Sequence, residues 1–309
     1  MLDPEARLVI DRDIDRLAWP ALGADKARRF HAERLVDAAA APAAEVASVR
    51  DVVLNGPVGP LQVRVYRPHA EGVAPVLVYL HGGGWTIGSI ETHDRLCRLI
   101  ASDSGCAVAS VEYRLAPEHK YPAALEDAYA AVVALAGSTG RAAQVDGTRL
   151  AVAGDSSGAN LAAALCLLAR DRGGPQLRLQ VLLYPALQAA FDTPSWQEYG
   201  TGYRVSRVEM AWYWQNYLRG DGDRTDAYAC PLASGDLRGL PEALIVTADC
   251  DPLRDDGETY GARLREAGVP CTTQRYLGMV HGFIGLSDSI AAGRQAIRHL
   301  AATVSASLR

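Results

Sequence analysis

A serine flanked by glycines is the feature of this sequence best suited to covalent chemistry. Ser156 lies in the motif GDSSG, residues 154–158, between a strand-like apolar run and a run with helical periodicity. A serine on so sharp a strand–turn–helix connection needs glycine two positions before and after it, because side chains there would collide. The helix that follows points its first N–H groups toward the serine oxygen. This context predicts that Ser156 is a nucleophile.

A run of three glycines predicts a loop that stabilises an anion. Gly82, Gly83 and Gly84 lie in the motif HGGGW, directly after the apolar run 76–80. A developing oxyanion needs backbone N–H donors that are in place before the reaction. We expect these donors to be Gly83 and Gly84, with the N–H of Ser157 as a third. A phosphate loop is disfavoured, because the pattern G-x-G-x-x-G and a P-loop lysine are both absent.

A general base and an acid are predicted from two motifs late in the chain. Of the seven histidines, only His281 both follows a strand-like run late in the chain, residues 272–277, and has a glycine beside it. His81, on the strand side of the glycine run, is expected to brace that turn. The acid lies within residues 249–256, DCDPLRDD, where the residues alone leave four aspartates open. The chain order of serine, acid and histidine is that of an α/β-hydrolase.

Short apolar runs alternate with helical patterns along the chain. Continuous runs rich in β-branched residues fit strands that are buried on both faces of a parallel sheet. The alternation predicts an α/β fold with a mostly parallel central sheet flanked by helices. Residues 61–68 alternate with period two and predict an antiparallel edge or penultimate strand. The strand-like runs are residues 76–80, 107–113, 149–154, 179–185 and 243–248, and the helical runs are 92–104, 122–136, 159–172 and 257–268.

One long insertion interrupts this alternation. Residues 188–225 separate two strand-like runs by far more than a short connection, and they are rich in tryptophan and tyrosine. Aromatic residues at this density indicate a lid over a site. The alternative is that they only pack the insertion onto the main body.

Composition and charge disfavour several classes of partner. The 309-residue chain has a formal net charge of −5, so we expect no basic surface for nucleic acid or anionic lipid. No apolar run is long enough to cross a bilayer, and the acidic N-terminus is not typical of a signal peptide. The six cysteines lack metal-ligand spacing. We therefore expect a cytoplasmic protein with reduced thiols, no metal and no membrane partner.

Five motifs together resemble those of the hormone-sensitive lipase-like esterases, the bacterial family IV branch of the α/β-hydrolases. The resemblance covers roughly residues 60–300 and implies a serine carboxylesterase that needs no metal or organic cofactor. Ser157 and Val280 depart from the family's usual alanine and glycine but leave the triad complete. The motifs are HGGGW (81–85), YRLAPE (113–118), GDSSG (154–158), DPLRDD (251–256) and VHGF (280–283).

The resemblance also implies roles for individual side chains. It selects Asp251 as the acid of the triad, which leaves Asp255 and Asp256 to cap the helix that follows. It implies that Arg114 and Glu118 form an ion pair that braces the oxyanion loop.

The same resemblance implies a division of the chain into a catalytic part and a cap. The cap consists of N-terminal helices in residues 1–50 and the insertion 188–225. Residues 51–187 and 226–309 then form the α/β-hydrolase catalytic domain. A homodimer through the last strand and helix would fit the family.

The expected substrate is a small-molecule ester with a short to medium acyl chain. In the expected mechanism, Ser156 attacks the ester carbonyl after His281 has taken its proton, and water then releases the acyl group. The pocket walls are expected to include Trp85, Asp155, Tyr203, Trp212 and Trp214.

Two other functions remain open from the sequence. The same triad could act on amides, peptides or lactones. A receptor on the same fold would bind a small molecule without catalysis, but such a protein typically lacks a triad member. All three members are present here.

Overall fold

An eight-stranded sheet lies at the centre of the computed structural model, which describes residues 1–12, 19–37, 43–69 and 71–309. The strands are β1 Ser48–Gly56, β2 Gly59–Arg67, β3 Ala74–Leu80, β4 Ala107–Val111, β5 Val145–Asp155, β6 Leu177–Leu183, β7 Glu242–Cys250 and β8 Cys271–Val280. Their order is β1-β2-β4-β3-β5-β6-β7-β8, and all neighbours from β4 to β8 in that order are parallel. β1 and β2 pair antiparallel, as do β2 and β4. The predicted α/β fold is confirmed, and the run 61–68 is the penultimate strand β2.

Side chains of the inner strands alternate between two apolar cores, one on each face of the sheet. In β3, Val76, Val78 and Leu80 belong to one core, and Leu77 and Tyr79 belong to the other. All five are fully buried. A strand covered on both faces excludes polar residues at every position, which explains the continuous apolar runs in the sequence.

Helices cover both faces of the sheet. Leu161 and Tyr260 pack in the first core, whereas Ile100 and Leu300 pack in the second. None of the described helices has the length and apolar character that a membrane span requires. The helices are α1 Pro4–Arg12, α2 Trp19–Leu22, α3 Ala24–Asp37, α4 Ile90–Ser104, α5 Ala123–Ala136, α6 Ser138–Ala142, α7 Ser157–Asp171, α8 Pro194–Tyr199, α9 Arg207–Tyr217, α10 Arg254–Glu266 and α11 Ala291–Ser307.

The segments predicted to form a cap contain short helices. The insertion carries α8 and α9, and α2 of the N-terminal segment packs against α9. The expectation that residues 1–50 are helical is wrong at its end, because β1 begins at Ser48. Residues 13–18 and 38–42 of that expectation lie outside the described residues. The division into catalytic and cap parts stays a prediction.

The helix after the predicted acid begins earlier than expected. α10 starts at Arg254, so Asp255 and Asp256 lie in its first turn and do not cap it. Their carboxylates bind the start of the insertion instead. Asp256 accepts from the Leu187 backbone N–H at 3.0 Å, and Asp255 accepts from the Ser195 N–H at 2.8 Å. The expected capping role is therefore wrong.

Candidate active site

The residues predicted to act together follow directly after parallel strands. Ser156 comes after β5, Asp251 after β7 and His281 after β8. The carboxyl ends of parallel strands meet at one edge of a sheet, where enzymes of this architecture build their sites. The topology therefore brings residues that are 30 and 125 positions apart into one place.

The serine turn is held in a backbone conformation that side chains rarely adopt. Ser156 has φ 55° and ψ −116°, and its N–H donates to the Leu183 carbonyl at 2.8 Å. A Cβ on Gly158 would lie 2.0 Å from the Leu80 carbonyl oxygen, and one on Gly154 would lie 2.3 Å from the Gly158 backbone. Both glycines are therefore required by close approach of the backbone, as the sequence motif predicts.

Ser156, His281 and Asp251 form one hydrogen-bonded series. His281 Nε2 lies 2.9 Å from Ser156 Oγ, and His281 Nδ1 lies 2.8 Å from Asp251 Oδ2. Asp251 is fully buried, and its other carboxylate oxygen accepts from the Leu253 N–H at 2.9 Å. The ring of Tyr184 packs edge-on against His281, with 4.8 Å between centroids. The imidazole is thus fixed by a carboxylate on one side and an aromatic ring on another.

The glycine run forms a turn beside the serine. Gly83 and Gly84 have φ values of 120° and 59°, and the Gly83 carbonyl accepts from the N–H groups of Thr86 and Ile87. Within the described part of the chain, the N–H groups of Gly83 and Gly84 donate no hydrogen bond to the protein. Ser157 begins α7, so its N–H is among the donors that a helix leaves unpaired. All three predicted donors are therefore available to an oxyanion.

Asp155 ties the glycine turn to the sheet. Its Oδ1 accepts from the Gly82 N–H at 2.9 Å and from the Tyr79 hydroxyl at 2.8 Å, and lies 3.2 Å from His93 Nε2. Burial alone would raise the pKa of Asp155, but the neighbouring His93 and the hydroxyl of Tyr79 outweigh it and lower that pKa. The carboxylate is therefore ionised and holds the first glycine of the turn.

His81 is a buried structural residue, as the sequence predicts. Its ring stacks on Tyr113 with 4.2 Å between centroids, and the Tyr113 hydroxyl donates to the His81 carbonyl at 2.6 Å. Burial, together with the nearby charge of His93, lowers the pKa of His81 to about 3. The ring is therefore neutral, and its described contacts are with Tyr113, His93 and Gly82.

The expected ion pair between Arg114 and Glu118 is not formed. Arg114 pairs with Asp127 at 2.8 Å, because the two face each other across the start of α5. Glu118 pairs with Arg28 of α3 at 2.6 Å. The loop after β4 is thus braced by two separate pairs rather than by one internal pair.

A cavity of about 620 Å³ opens beside the serine. Asp155, which was predicted as a pocket wall, lines it together with Gly83, Gly84, Ser156 and His281. Residues that the sequence did not single out include Ile87, His93, Tyr184, Val205, Met210 and Tyr213. Tyr184 could have been found, because it follows β6 at the same sheet edge as the serine.

Four of the predicted pocket walls do not line the cavity. Trp85 and Trp214 are almost fully buried and pack on each other, with 4.4 Å between ring centroids. Tyr203 packs edge-on against Tyr199, and Trp212 against Tyr213. These predictions are wrong because the four rings pack against other aromatic rings, whereas Val205, Met210 and Tyr213 of the insertion line the cavity.

Among the residues that the structure describes, no group of three or more His, Cys, Asp and Glu side chains could hold a metal ion. All six cysteines are free thiols.

The comparisons with known proteins agree with this geometry. The family model for the alpha/beta hydrolase fold matches residues 77–285. The carboxylic ester hydrolase LipN of Mycobacterium tuberculosis is 45% identical over 84% of this chain and 70% of its own length. The ethyl acetate hydrolase of Pseudomonas putida is 38% identical over 89% of this chain and 87% of its own.

A solved structure extends the likeness to nearly the whole chain. The hyperthermophilic esterase of Pyrobaculum calidifontis superposes with a TM-score of 0.93 at 40% identity, over 99% of this chain and 98% of that one. The family match, the identities and the superposition together confirm the resemblance carried by the five motifs. This chain belongs to the α/β-hydrolase family, in its hormone-sensitive lipase-like branch of carboxylic ester hydrolases.

Proposed function

We propose that this chain is a serine carboxylesterase that hydrolyses small-molecule esters through an acyl-enzyme on Ser156. The observation that carries the proposal is the series from Ser156 through His281 to Asp251, with contacts of 2.9 and 2.8 Å at the wall of a cavity. The named activities of the relatives support the same reaction class.

Proton transfer in this proposal runs along the hydrogen-bonded series. His281 Nε2 takes the proton of Ser156 as its Oγ attacks the ester carbonyl, and the same nitrogen then protonates the leaving alcohol. Water attacks the acyl-enzyme by the same route and releases the acid. Asp251 accepts from Nδ1–H, which keeps the other nitrogen free to act as base and stabilises the imidazolium.

The glycine turn supplies the electrostatic part of the mechanism. The carbonyl oxygen becomes an oxyanion when Ser156 attacks, and the N–H groups of Gly83, Gly84 and Ser157 are its donors in this proposal. Donors fixed before the reaction stabilise the transition state without reorganisation. Asp155 contributes by holding the Gly82 N–H, one residue before these donors.

The cavity fits substrates of modest size. A volume of about 620 Å³ lies within the usual range for small-ligand sites, and the family resemblance favours short to medium acyl chains. We expect kcat/KM to be highest for nitrophenyl esters of short or medium acids and to fall for long acyl chains. If kcat/KM continued to rise up to esters of long-chain acids, this substrate class would be contradicted.

Two further parts of the proposal concern the whole protein. Six free thiols fit a reducing compartment, which supports a cytoplasmic location. A homodimer through β8 and α11 is also proposed, and light scattering of the purified chain tests it.

Covalent labelling tests the proposal directly. We expect a fluorophosphonate to label the full chain once, at Ser156, with loss of esterase activity. The Ser156→Ala variant should be neither labelled nor active, whereas Ser305→Ala, on α11, should behave like the wild type. Labelling that persists in Ser156→Ala would contradict the assignment of the nucleophile.

A paired substrate separates ester from amide hydrolysis. The acetyl ester of nitrophenol and the matching anilide present the same acyl group to the same triad. We expect turnover of the ester to exceed that of the anilide by orders of magnitude. Comparable rates would assign the chain to the amidases.

A further inference from the structure

Arg28 of α3 connects the N-terminal helices to the glycine turn. Its Nε donates to the Thr86 carbonyl at 2.7 Å, and its Nη2 donates to the Ala116 carbonyl at 2.8 Å. Two further bonds, at 2.6 and 3.0 Å, join the guanidinium to both carboxylate oxygens of Glu118. The side chain is only 25% exposed. One guanidinium thus holds two backbone carbonyls and a carboxylate at once.

Both carbonyls that Arg28 holds belong to the support of the proposed oxyanion donors. Thr86 closes the glycine turn, because its N–H donates to the Gly83 carbonyl at 3.1 Å and its hydroxyl donates to the Gly84 carbonyl at 3.0 Å. Ala116 donates its N–H to the Trp85 carbonyl at 2.8 Å. Arg28 therefore fixes the turn directly at Thr86 and indirectly through Ala116.

External support matters here because glycine does not fix its own backbone. Gly83 and Gly84 can adopt many φ and ψ values, so their peptide planes rotate unless neighbouring groups hold them. An N–H must point at the oxyanion to stabilise it, and a small misplacement of a catalytic group can cost about a hundredfold in rate. Asp155 fixes the start of this turn at Gly82, and Arg28 fixes its end.

We propose that Arg28 is a positioning residue for the oxyanion donors Gly83 and Gly84. The inference rests on the proposed function, because it assigns Arg28 a role in the same acyl transfer. Arg28 is not among the residues that line the cavity, so in this proposal it acts through the turn. The N-terminal helix α3 thereby completes the site as well as covering it.

The same face of α3 also borders the cavity. His31 and Ala32 line it, three and four residues after Arg28, so all three side chains share one face of the helix. Loss of Arg28 could therefore act on substrate binding as well as on the turn. The test must separate the two effects.

The experiment compares Arg28→Ala, Arg28→Lys and the control Arg29→Ala in the full chain. Arg29 lies on the same helix and is exposed. For each protein, kcat and KM are measured on a short nitrophenyl ester. Affinity is measured for a trifluoromethyl ketone, whose carbonyl carbon bonds to the Ser156 oxygen as its C=O π bond breaks and the serine proton passes to His281. The product carboxylic acid gives the ground-state affinity.

We expect Arg28→Ala to lower kcat by about tenfold to a hundredfold with a smaller change in KM. Affinity for the ketone should fall by a similar factor, because its adduct carries the oxyanion, while affinity for the product changes little. Arg28→Lys keeps the charge beside Glu118 but cannot hold two carbonyls as a fork, so its kcat should lie between Arg28→Ala and the wild type. Arg29→Ala should match the wild type.

Two results would overturn the inference. One is a folded Arg28→Ala or Arg28→Lys protein, judged by circular dichroism, with wild-type kcat. The other is a loss of kcat without a matching loss of ketone affinity. Activity that survives in Ser156→Ala would instead refute the proposed function, so the two failures are distinguishable.

Discussion

At the residue scale, three carboxylates withdrawn from solvent have different partners and therefore different properties. Asp155 holds the Gly82 N–H beside His93 and has a lowered pKa. Asp251 directs one oxygen at His281 and is fully buried. Asp256 is equally buried, and its burial raises its pKa to about 7. Position relative to donors and cations, rather than residue type, decides what each aspartate can do.

Replacement of Asp251 tests the orientation of the imidazole. Asparagine at this position would donate rather than accept toward Nδ1, which favours the tautomer that cannot take the serine proton. We expect Asp251→Asn to lower kcat on a short nitrophenyl ester by roughly a thousandfold to ten-thousandfold. Asp249→Asn is the matched control, because Asp249 lies in β7 and its carboxylate accepts from the Gly278 N–H of β8. Equal losses in the two variants would contradict this assignment of the acid.

Replacement of Asp256 tests how its pKa contributes to stability. The folded pKa of about 7 exceeds the ordinary value of 3.8, so the native state binds more protons than the unfolded state between those values. Stability should therefore fall as pH rises from about 4 to about 7, by an amount on the order of 4 kcal/mol at 1.36 kcal/mol per pKa unit. Asp256→Asn removes this titration and keeps an acceptor for the Leu187 N–H.

The measurement is the free energy of urea unfolding at pH 5 and pH 8. We expect a smaller decrease between the two values in Asp256→Asn than in the wild type. The same decrease in both proteins would show that Asp256 does not titrate in this range.

At the element scale, burial explains which strands could be predicted. The inner strands β3 to β7 are covered on both faces, so their apolar runs stand out, and the predicted positions overlap all five. The predicted run 272–277 also overlaps β8, the second edge strand. β1 is an edge strand with mostly exposed or half-buried side chains, and its sequence carries no such signal. Buried strands can therefore be predicted from their apolar runs, whereas an exposed edge strand such as β1, which is held mainly by hydrogen bonds to its neighbour, cannot.

The aromatic residues of the insertion show a second limit of sequence reasoning. Their density distinguishes the insertion from the rest of the chain, but residue type does not say which side of a helix faces a cavity. Trp85 stacks on Tyr217 at 4.2 Å between centroids, with planes 6° apart, and Trp214 packs beside them. This cluster anchors α9 on the glycine turn, because its large rings pack between the turn and the helix.

The anchoring role of Trp85 leads to a stability prediction. Trp85→Ala removes a fully buried ring between the turn and α9, and such losses typically cost about 3–5 kcal/mol. Trp212→Ala is the comparison, because Trp212 is only partly buried and packs beside Tyr213. Urea unfolding should show a clearly larger loss for Trp85→Ala. Similar losses in both variants would contradict the anchoring role.

At the scale of the whole molecule, the residues alone predicted the serine and the histidine, the family resemblance selected Asp251 as the acid, and the bracing pairs were not predicted. Ser156, Asp251 and His281 each follow a strand, and the geometry of a parallel sheet brings such positions together. The partner of Glu118 is Arg28, which lies 90 residues away. Nothing in the local sequence distinguishes that pairing from one with nearby Arg114. Distant charge pairs depend on how loops and helices finally pack, and one sequence does not determine them.

The conformation of Ser156 has a consequence for the thermodynamics of the entire chain. A non-glycine residue at φ 55° and ψ −116° is strained by about 1–3 kcal/mol, and the whole fold must hold it there. Glycine would relieve this strain, partly offset by its greater freedom in the unfolded chain. We expect the free energy of urea unfolding to be about 1 kcal/mol higher for Ser156→Gly than for Ser156→Ala, although both variants are inactive. If Ser156→Ala were the more stable variant, the backbone of this turn would be unstrained. If Ser156→Gly is the more stable variant, the conformation that exposes the nucleophile lowers the stability of the folded protein.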